Sequence, residues 1–197
     1  DTPIDEQYRN SAFRDPSLPL GEKIRQMASL PLRFQPGTGW NYSIATDVCG
    51  YLVELLSDMP FQDFLQENIF DPLGMDDTAF YVHEDKLDRF ATLYQHNFMD
   101  GSFHLFQGTP HIPAQNFTVM PNSPSGGGGL TSTTEDYFKF AQMMANKGEL
   151  DGTRLLGRRT VEYMTMNHLK PELMPYGIGL NVNQGKGFGL GVEVVID

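Results

Sequence analysis

The chain has 197 residues, 40% of them hydrophobic, which is enough to build the core of one domain or of a large part of one. Its 14 basic and 25 acidic residues give a formal charge of −11, which disfavours nucleic acid and anionic membrane surfaces as partners. No run of about 18 apolar residues predicts a membrane span. The sequence begins at Asp1 without a signal peptide, so we expect a processed or cut chain, soluble in a bacterial-type cytoplasm or periplasm.

Two helices are predicted in the first third of the chain. After a polar start, the first has one face made of Leu20, Ile24, Met27 and Ala28. The Pro36-Gly37 pair then predicts a turn, and Ser43 is predicted to be the N-cap of the second helix. The apolar face of the second helix is expected to comprise Ile44, Val48, Tyr51 or Leu52, and Leu55. Its single Cys49 cannot form an internal disulfide and is predicted to be a small buried group.

The middle of the chain combines one strongly patterned helix with a weakly patterned region. The helix is predicted to begin at Pro60-Phe61 and to stop at Pro72-Leu73-Gly74. Its expected core face is formed by Phe61, Phe64, Leu65 and Ile69. Residues 99–102 then predict a hairpin turn between short strands.

Four consecutive glycines, Gly126 to Gly129, are the most unusual local composition. They do not form a phosphate-binding loop, because such a loop needs lysine and a hydroxyl residue directly after its glycines. We therefore expect backbone in close contact with another element. Residues 132–135 have capping-box spacing and predict a helix that ends at the C-cap Gly148. Its expected inner face is formed by Tyr137, Phe140, Ala141 and Met144.

The last fifty residues change from helical to strand periodicity. Asp151-Gly152 predicts a turn, and residues 160–167 a short helix with Val161 and Met164 inward. A single β-hairpin turning at 184–187 is predicted next. Its apolar face is expected to comprise Tyr176, Ile178, Leu180 and Val182 on the first strand and Phe188, Leu190, Val192, Val194 and Ile196 on the second. We expect the second strand to need pairing by a further strand of its own domain.

Two long stretches carry a family resemblance. FQPGTGWNYS, with the following VELLS and PF-x-x-FL-x-E-x-IF-x-PLGM, and later PSGGGGLTSTTEDYFKFAQMMANKGELDGTRLL, resemble the serine β-lactamase and penicillin-binding-protein superfamily on its class C and family VIII carboxylesterase side. The resemblance implies an α+β fold, a helical subdomain plus a C-terminal β-hairpin of a β-lactamase/transpeptidase-like α/β sandwich. Residues 1–197 would be part of a single domain, with 1–123 the helical subdomain and its cleft loops, and 124–197 the return to the α/β core.

The resemblance implies one catalytic residue in this chain, Tyr42. The tyrosine at the matching place in the family is the general-base partner of a serine nucleophile and a lysine. Tyr42 precedes a predicted helix N-terminus, where the helix dipole would stabilise a phenolate. The alternative from local sequence is that Tyr42 is a packing residue beside Trp40.

Two motifs of the family are absent from the chain. No serine has a lysine three residues later, and neither Lys-Thr-Gly nor its His-x-Gly and Trp-x-Gly relatives occurs. By family order these motifs belong before residue 1 and after residue 197, so we expect an internal fragment, inactive alone. Ile44 stands where the β-lactamase branch has an asparagine that binds a substrate amide. An acylamino group would go unpaired there at about 1–3 kcal/mol, which favours the esterase branch.

The sequence thus predicts a serine hydrolase, most simply a carboxylesterase that acts on a small ester through an acyl-enzyme. A β-lactamase or D-Ala-D-Ala peptidase of the same fold is the first alternative, and a non-catalytic binding or scaffold module is the second. No cofactor is expected, and substrate-binding residues are not assigned. The absence of Gly-x-Ser-x-Gly disfavours a Ser-His-Asp hydrolase. No metal-ligand spacing connects the five histidines, which are predicted to lie in loops: His83, His96, His104, His111 and His168.

Overall fold

The computed structural model describes residues 2–11, 13, 15–108, 116–178 and 181–196. Helix α1 spans Pro3–Arg9 and begins at a Thr2 N-cap, whose hydroxyl accepts a hydrogen bond from the Asp5 N–H (3.3 Å). Helix α2 spans Leu20–Met27 and buries Leu20 and Met27 as predicted, whereas Ala28 is exposed and Lys23 takes a place on the buried face.

Helix α3 spans Ala45–Ser57 and packs on α2, where a side chain at Gly21 would collide with the ring of Tyr51. The predicted N-cap is wrong by one residue, because Ile44 occupies that position and Ser43 only accepts a hydrogen bond from the Ala45 N–H (3.2 Å). The prediction that Cys49 is buried is also wrong. Its side chain faces away from the packed side of the helix and is exposed.

The helix predicted from Phe61 to Gly74 is confirmed, with one irregular turn. Helix α4 spans Phe61–Leu65, a π-helical turn covers Gln66–Phe70, and α5 spans Asp71–Leu73. It ends at Gly74, which is left-handed with φ of +63°, a conformation that glycine adopts without steric cost.

The middle region contains little regular structure. A 3₁₀ turn covers Glu84–Arg89, and the predicted hairpin follows as β1 (Tyr94–His96) paired antiparallel with β2 (Phe103–Leu105). Each strand has only three residues, and Phe98 and Phe103 are largely exposed. This hairpin is therefore a surface feature of the chain as it stands.

Helix α6 spans Thr134–Ala145, and its cap differs from the prediction. Thr133 is the N-cap and accepts a hydrogen bond from the Asp136 N–H (3.2 Å), so the cap lies one residue later than expected. The C-cap is Asn146, and Gly148, with φ of +94°, lies beyond it. The expected inner face is confirmed for Phe140 and Met144, which pack against the core, and is wrong for Tyr137 and Ala141, which are exposed. Asp136 and Met143 are the buried residues of this helix.

The remaining elements are short. Strands β3 (Glu149–Leu150) and β4 (Thr153–Arg154) pair across the predicted Asp151-Gly152 turn, and α7 spans Arg158–Met164 with Val161 fully buried. A 3₁₀ turn at Pro171–Leu173 precedes the last strands.

The tail forms two hairpins, not the single one predicted. Strand β5 (Tyr176–Ile178) pairs with β6 (Asn181–Asn183), and β7 (Lys186–Phe188) pairs with β8 (Glu193–Val195). Gly191, with φ of +84°, turns the chain inside the stretch that was predicted to be one continuous strand. The predicted strand residue Leu180 and the predicted loop residue His111 lie outside the described residues.

One hydrophobic cluster joins α6 to the α4–α5 segment, so it connects the two sequence stretches that carry the family resemblance. Phe70, Leu73 and Met75 from the α4–α5 segment pack with Met143 of α6. The architecture is α+β as predicted, with helices and small antiparallel hairpins. None of the helices in the described part of the chain combines the length and the apolar character that a membrane crossing requires.

Candidate active-site segment

Tyr42 lies in an extended segment between the Pro36-Gly37 turn and the start of α3. Gly37 has φ of +80°, so the turn takes the conformation that glycine allows. The side chain of Tyr42 is 72% exposed, and within the described part of the chain no group hydrogen-bonds its hydroxyl. The hydroxyl is therefore accessible to a hydrogen bond with an incoming group.

A groove of about 1120 Å³ runs along this segment. Tyr42 and Ile44 line it together with residues of α1, α2 and α3, and its walls are mainly apolar. Arg33 lines it as well, and its guanidinium lies 3.9 Å from the Asp5 carboxylate of α1. The expected tyrosine is thus placed beside a concave surface, which is where binding sites are usually found.

Trp40 anchors the chain on the N-terminal side of Tyr42. Its ring centroid lies 4.7 Å from that of Tyr176 and 5.5 Å from that of Phe188, in tilted and edge-on geometry. Such aromatic pairs contribute about 0.5–1.5 kcal/mol beyond the burial of their area. Strands β5 and β7, which carry these two rings, are thereby held against the Tyr42 segment.

A polar group of four residues supports the same aromatic cluster. Glu193 accepts hydrogen bonds from Tyr176 Oη (2.7 Å), Lys186 Nζ (2.5 Å) and Asn183 Nδ2 (3.1 Å). The Lys186 ammonium and the Tyr176 hydroxyl hold the pKa of Glu193 below its usual value, and burial raises the pKa of Tyr176. The bonds tie both hairpins together beneath Trp40.

The glycine loop anchors the other side of Tyr42, at the first turn of α3. A Cβ atom at Gly126 would lie 2.0 Å from the carbonyl oxygen of Thr46, and one at Gly127 would lie 2.8 Å from the hydroxyl of Thr46. The prediction of close-approach backbone is confirmed for these two glycines. Gly128 differs, because a Cβ there would meet open space.

Hydrogen bonds lock the loop to the helix. Asp47 is only 4% exposed, and its Oδ1 accepts a hydrogen bond from Ser125 Oγ (2.5 Å). Ser125 Oγ in turn accepts one from the Gly127 N–H (3.0 Å). The carboxylate is therefore satisfied inside the protein, as a buried charge must be.

Lys23 of α2 holds the same loop at Ser123. It is 6% exposed, and its Nζ donates a hydrogen bond to Ser123 Oγ (2.7 Å). Burial lowers the pKa of Lys23, and the charges of Asp15 and Asp47 partly oppose that shift. The segment 123–127 is thus held between two helices by two buried charges of opposite sign.

Sequence reasoning missed Lys23, Asp47 and Ser125. The only local signal was that an acidic residue in the first turn of a helix is favoured by the dipole, and this does not distinguish a buried carboxylate from an exposed one. Ser125 directly precedes the glycines, which indicated a turn and nothing more. In the described residues no group of three His, Cys, Asp or Glu side chains is arranged to hold a metal ion.

Comparisons with known proteins show the family to which this chain belongs. The Beta-lactamase family model matches residues 3–195. An uncharacterized protein of Mycobacterium tuberculosis is 36% identical over 91% of this chain and 45% of its own length. Lovastatin esterase of Penicillium rubens is 32% identical over 94% of this chain and 47% of its own length. Esterase EstB of Burkholderia gladioli is 34% identical over 68% of this chain and 36% of its own length.

The fold is similar to that of a solved hydrolase. EstCE1, described as a hydrolase with promiscuous acyltransferase activity, superposes with a TM-score of 0.73 at 24% identity, over 92% of this chain and 47% of that one. The chain spans about half the length of the relatives that it matches. Because the family model covers nearly the whole chain, the chain belongs to the Beta-lactamase family of serine hydrolases.

Proposed function

We propose that the full-length protein containing this chain is a carboxylesterase that works through an acyl-enzyme, with Tyr42 as its general base. The observation that carries the proposal is the position of Tyr42 in the groove, with its hydroxyl unpartnered among the described residues. Two relatives that are more than 30% identical are named esterases, which supports the same reaction class.

The chemistry divides between this chain and the part of the protein outside it. A serine followed three residues later by lysine, which this chain does not contain, would attack the ester carbonyl. Tyr42, together with that lysine, would accept the serine proton and pass it to the departing alkoxide, so that an alcohol leaves and the acyl-enzyme remains. In the second step Tyr42 would take a proton from the water that attacks the acyl-enzyme, and that proton would return to the serine oxygen as the acid leaves.

Ile44 supports an ester substrate over a β-lactam. It lines the groove beside Tyr42, at the place where the β-lactamase branch of the family has an asparagine. A hydrocarbon side chain donates no hydrogen bond, so the amide of a penicillin or cephalosporin side chain would lose one partner, at about 1–3 kcal/mol. An ester without an acylamino group loses nothing there.

A non-catalytic scaffold protein of the same fold is the second candidate, because residues 1–197, which contain no Ser-x-x-Lys motif, are compatible with either protein. The reading frame upstream of Asp1 distinguishes the two. A Ser-x-x-Lys there supports the enzyme, and its absence supports the scaffold.

The substrate class is tested by comparing two chromogenic substrates on the full-length protein. We expect kcat/KM for p-nitrophenyl butyrate to exceed that for nitrocefin, since both can acylate the same serine and differ in recognition. An Ile44→Asn variant is the matched control, and it should narrow the difference. A kcat/KM for nitrocefin equal to or above that for the ester would favour the β-lactamase alternative.

A further inference from the structure

We propose that Asp47 and Ser125 are positioning residues for Tyr42, acting through the contact between the glycine loop and the first turn of α3. The proposal rests on the proposed function, because it assigns these residues a role in aligning the general base. Neither side chain is placed in the groove that Tyr42 lines, so neither is proposed to touch the substrate.

The geometry links the loop to the helix start at several points. Asp47 Oδ1 accepts the Ser125 hydroxyl proton (2.5 Å), and the Ser125 oxygen accepts the Gly127 N–H (3.0 Å). Beside these bonds, the backbone of Gly126 packs so closely that a Cβ atom would lie 2.0 Å from the Thr46 carbonyl oxygen. One turn later Gly50 also lies against the loop, where its Cβ would be 3.4 Å from Gly126 Cα.

The contact between the loop and α3 depends on the buried charge of Asp47 and on the groups that stabilise it. A buried carboxylate is stable only if it is hydrogen-bonded and compensated, and here the compensation includes Lys23, which holds Ser123 on the same loop. If one of the interacting side chains is removed, the group that it stabilised stays buried without a partner. The loop and the helix start would then shift together.

Tyr42 lies between two such anchors. Trp40 is fixed by Tyr176 and Phe188, and the helix that begins at Ala45 is fixed by the loop. The exposed side chain of Tyr42 has no hydrogen bond of its own among the described residues. Its placement therefore depends on the backbone on both sides, and a shift of about 1 Å in a reacting group can reduce a rate about a hundredfold.

Asp136 provides a matched control for Asp47. It is also a carboxylate in the first turn of a helix and is also 4% exposed. Its contacts are on another part of the molecule, where it accepts hydrogen bonds from the Asp77 N–H (2.8 Å), the Thr78 hydroxyl (3.0 Å) and the Lys139 ammonium (3.3 Å). Asp136→Asn should therefore destabilise the protein as Asp47→Asn does, without disturbing Tyr42.

The test measures kcat, KM and Tm for ester hydrolysis by the full-length protein and its variants. We expect Asp47→Asn and Ser125→Ala to lower kcat about tenfold to a hundredfold with KM within about twofold. Ser125→Thr keeps the hydroxyl and should retain most of kcat, and Asp136→Asn should lower Tm alone. If Asp47→Asn does not fold, the two Ser125 variants decide the question.

The Tyr42→Phe variant distinguishes a failure of the proposed function from a failure of the positioning role of Asp47 and Ser125. Retention of kcat by Tyr42→Phe would overturn the proposed function and this inference with it. A large loss in Tyr42→Phe, with wild-type kcat in both Asp47→Asn and Ser125→Ala, would overturn this inference alone. An equal loss of kcat in Asp136→Asn would also overturn it, because the effect would then be general destabilisation.

Discussion

Individual glycines determine how closely the loop approaches α3. Gly126 and Gly128 belong to the same run of four, yet their surroundings are opposite. A methyl group on Gly126 would overlap the carbonyl oxygen of Thr46, whereas one on Gly128 would meet nothing within 4 Å. A backbone oxygen in the first turn of a helix cannot move aside without disturbing the helix.

We therefore expect Gly126→Ala to destabilise the protein by about 1–3 kcal/mol, the usual range for overpacking. Gly128→Ala should be neutral or slightly stabilising, since alanine reduces the conformational freedom of the unfolded chain. Urea denaturation of both variants and of the wild type measures the difference in free energy of unfolding. Equal stability of the two variants would show that the close contact at Gly126 is not maintained.

Residue identity alone did not reveal which side chains are buried. Cys49 was expected inside because it lies in a helix with an apolar face, and it is exposed. Asp47, two residues before it, is buried because the glycine loop supplies a hydroxyl partner that is distant in sequence. The segments that pack on a helix decide which of its side chains are buried. Periodicity in the sequence shows only that the helix has a face on which another segment can pack.

At the scale of elements, α3 shows both the strength and the limit of pattern reasoning. Its spacing correctly predicted a helix after Tyr42, with an apolar face. However, Leu52, Leu55 and Leu56 are exposed in this chain, Leu56 by 87%. The packed side carries the buried Asp47 and Gly50, with Val48 and Tyr51 of the predicted face half-buried beside them. The hydrophobic spacing predicted that a helix forms here, but the contacts with other segments determine which of its faces is buried.

The strand character of the tail was predicted correctly, but the predicted pairing as a single hairpin was wrong. Gly191 allows a turn that divides the second predicted strand, and alternating residues on either side of a glycine do not reveal this. The contacts of Trp40 with Tyr176 and Phe188 are equally invisible in the sequence. No local rule connects residues so far apart in the chain.

The hairpins should show a pH-dependent stability that comes from Glu193. Its pKa is lowered in the folded protein, so its stabilising contribution is complete above the unfolded value of about 4.5 and is lost as pH falls through the folded pKa. Glu193→Gln should lower Tm at pH 7, and its difference from wild type should shrink below about pH 4.5.

The measurement is thermal unfolding of wild type and variant between about pH 7 and pH 3. Lys186→Met, which removes the cation from the same carboxylate, should give the same pH trend. A Tm difference that stays constant over this range would show that the charge of Glu193 does not stabilise the hairpins.

At the scale of the molecule, this chain spans about half the length of its relatives. Several of its large apolar side chains are exposed on the surface. The leucines on the exposed side of α3 and Val195 of β8 are among them. We propose that the rest of the domain covers the α3 face and pairs the last strand, as the family resemblance implies. Exposed apolar side chains of this kind and an unpaired strand edge favour association in an isolated chain.

Residues 1–197 alone should therefore be catalytically inert and should self-associate. No serine in the chain is followed by a lysine three residues later, so the proposed acyl-enzyme cannot form. Size-exclusion chromatography with light scattering and an ester assay measures both properties. Adding the remainder of the domain as a separate chain should raise Tm. A stable monomer with saturable, Tyr42-dependent hydrolysis would contradict this prediction.

The role of Tyr42 is tested most directly by kcat of Tyr42→Phe in the full-length protein. The phenyl ring keeps the shape of the side chain and removes only the proton acceptor, so Tm should not change. We expect kcat for p-nitrophenyl butyrate to fall at least about a hundredfold, the scale of a lost general base. A variant with near-wild-type kcat and an unchanged Tm would show that Tyr42 is not the general base and would contradict the proposed mechanism.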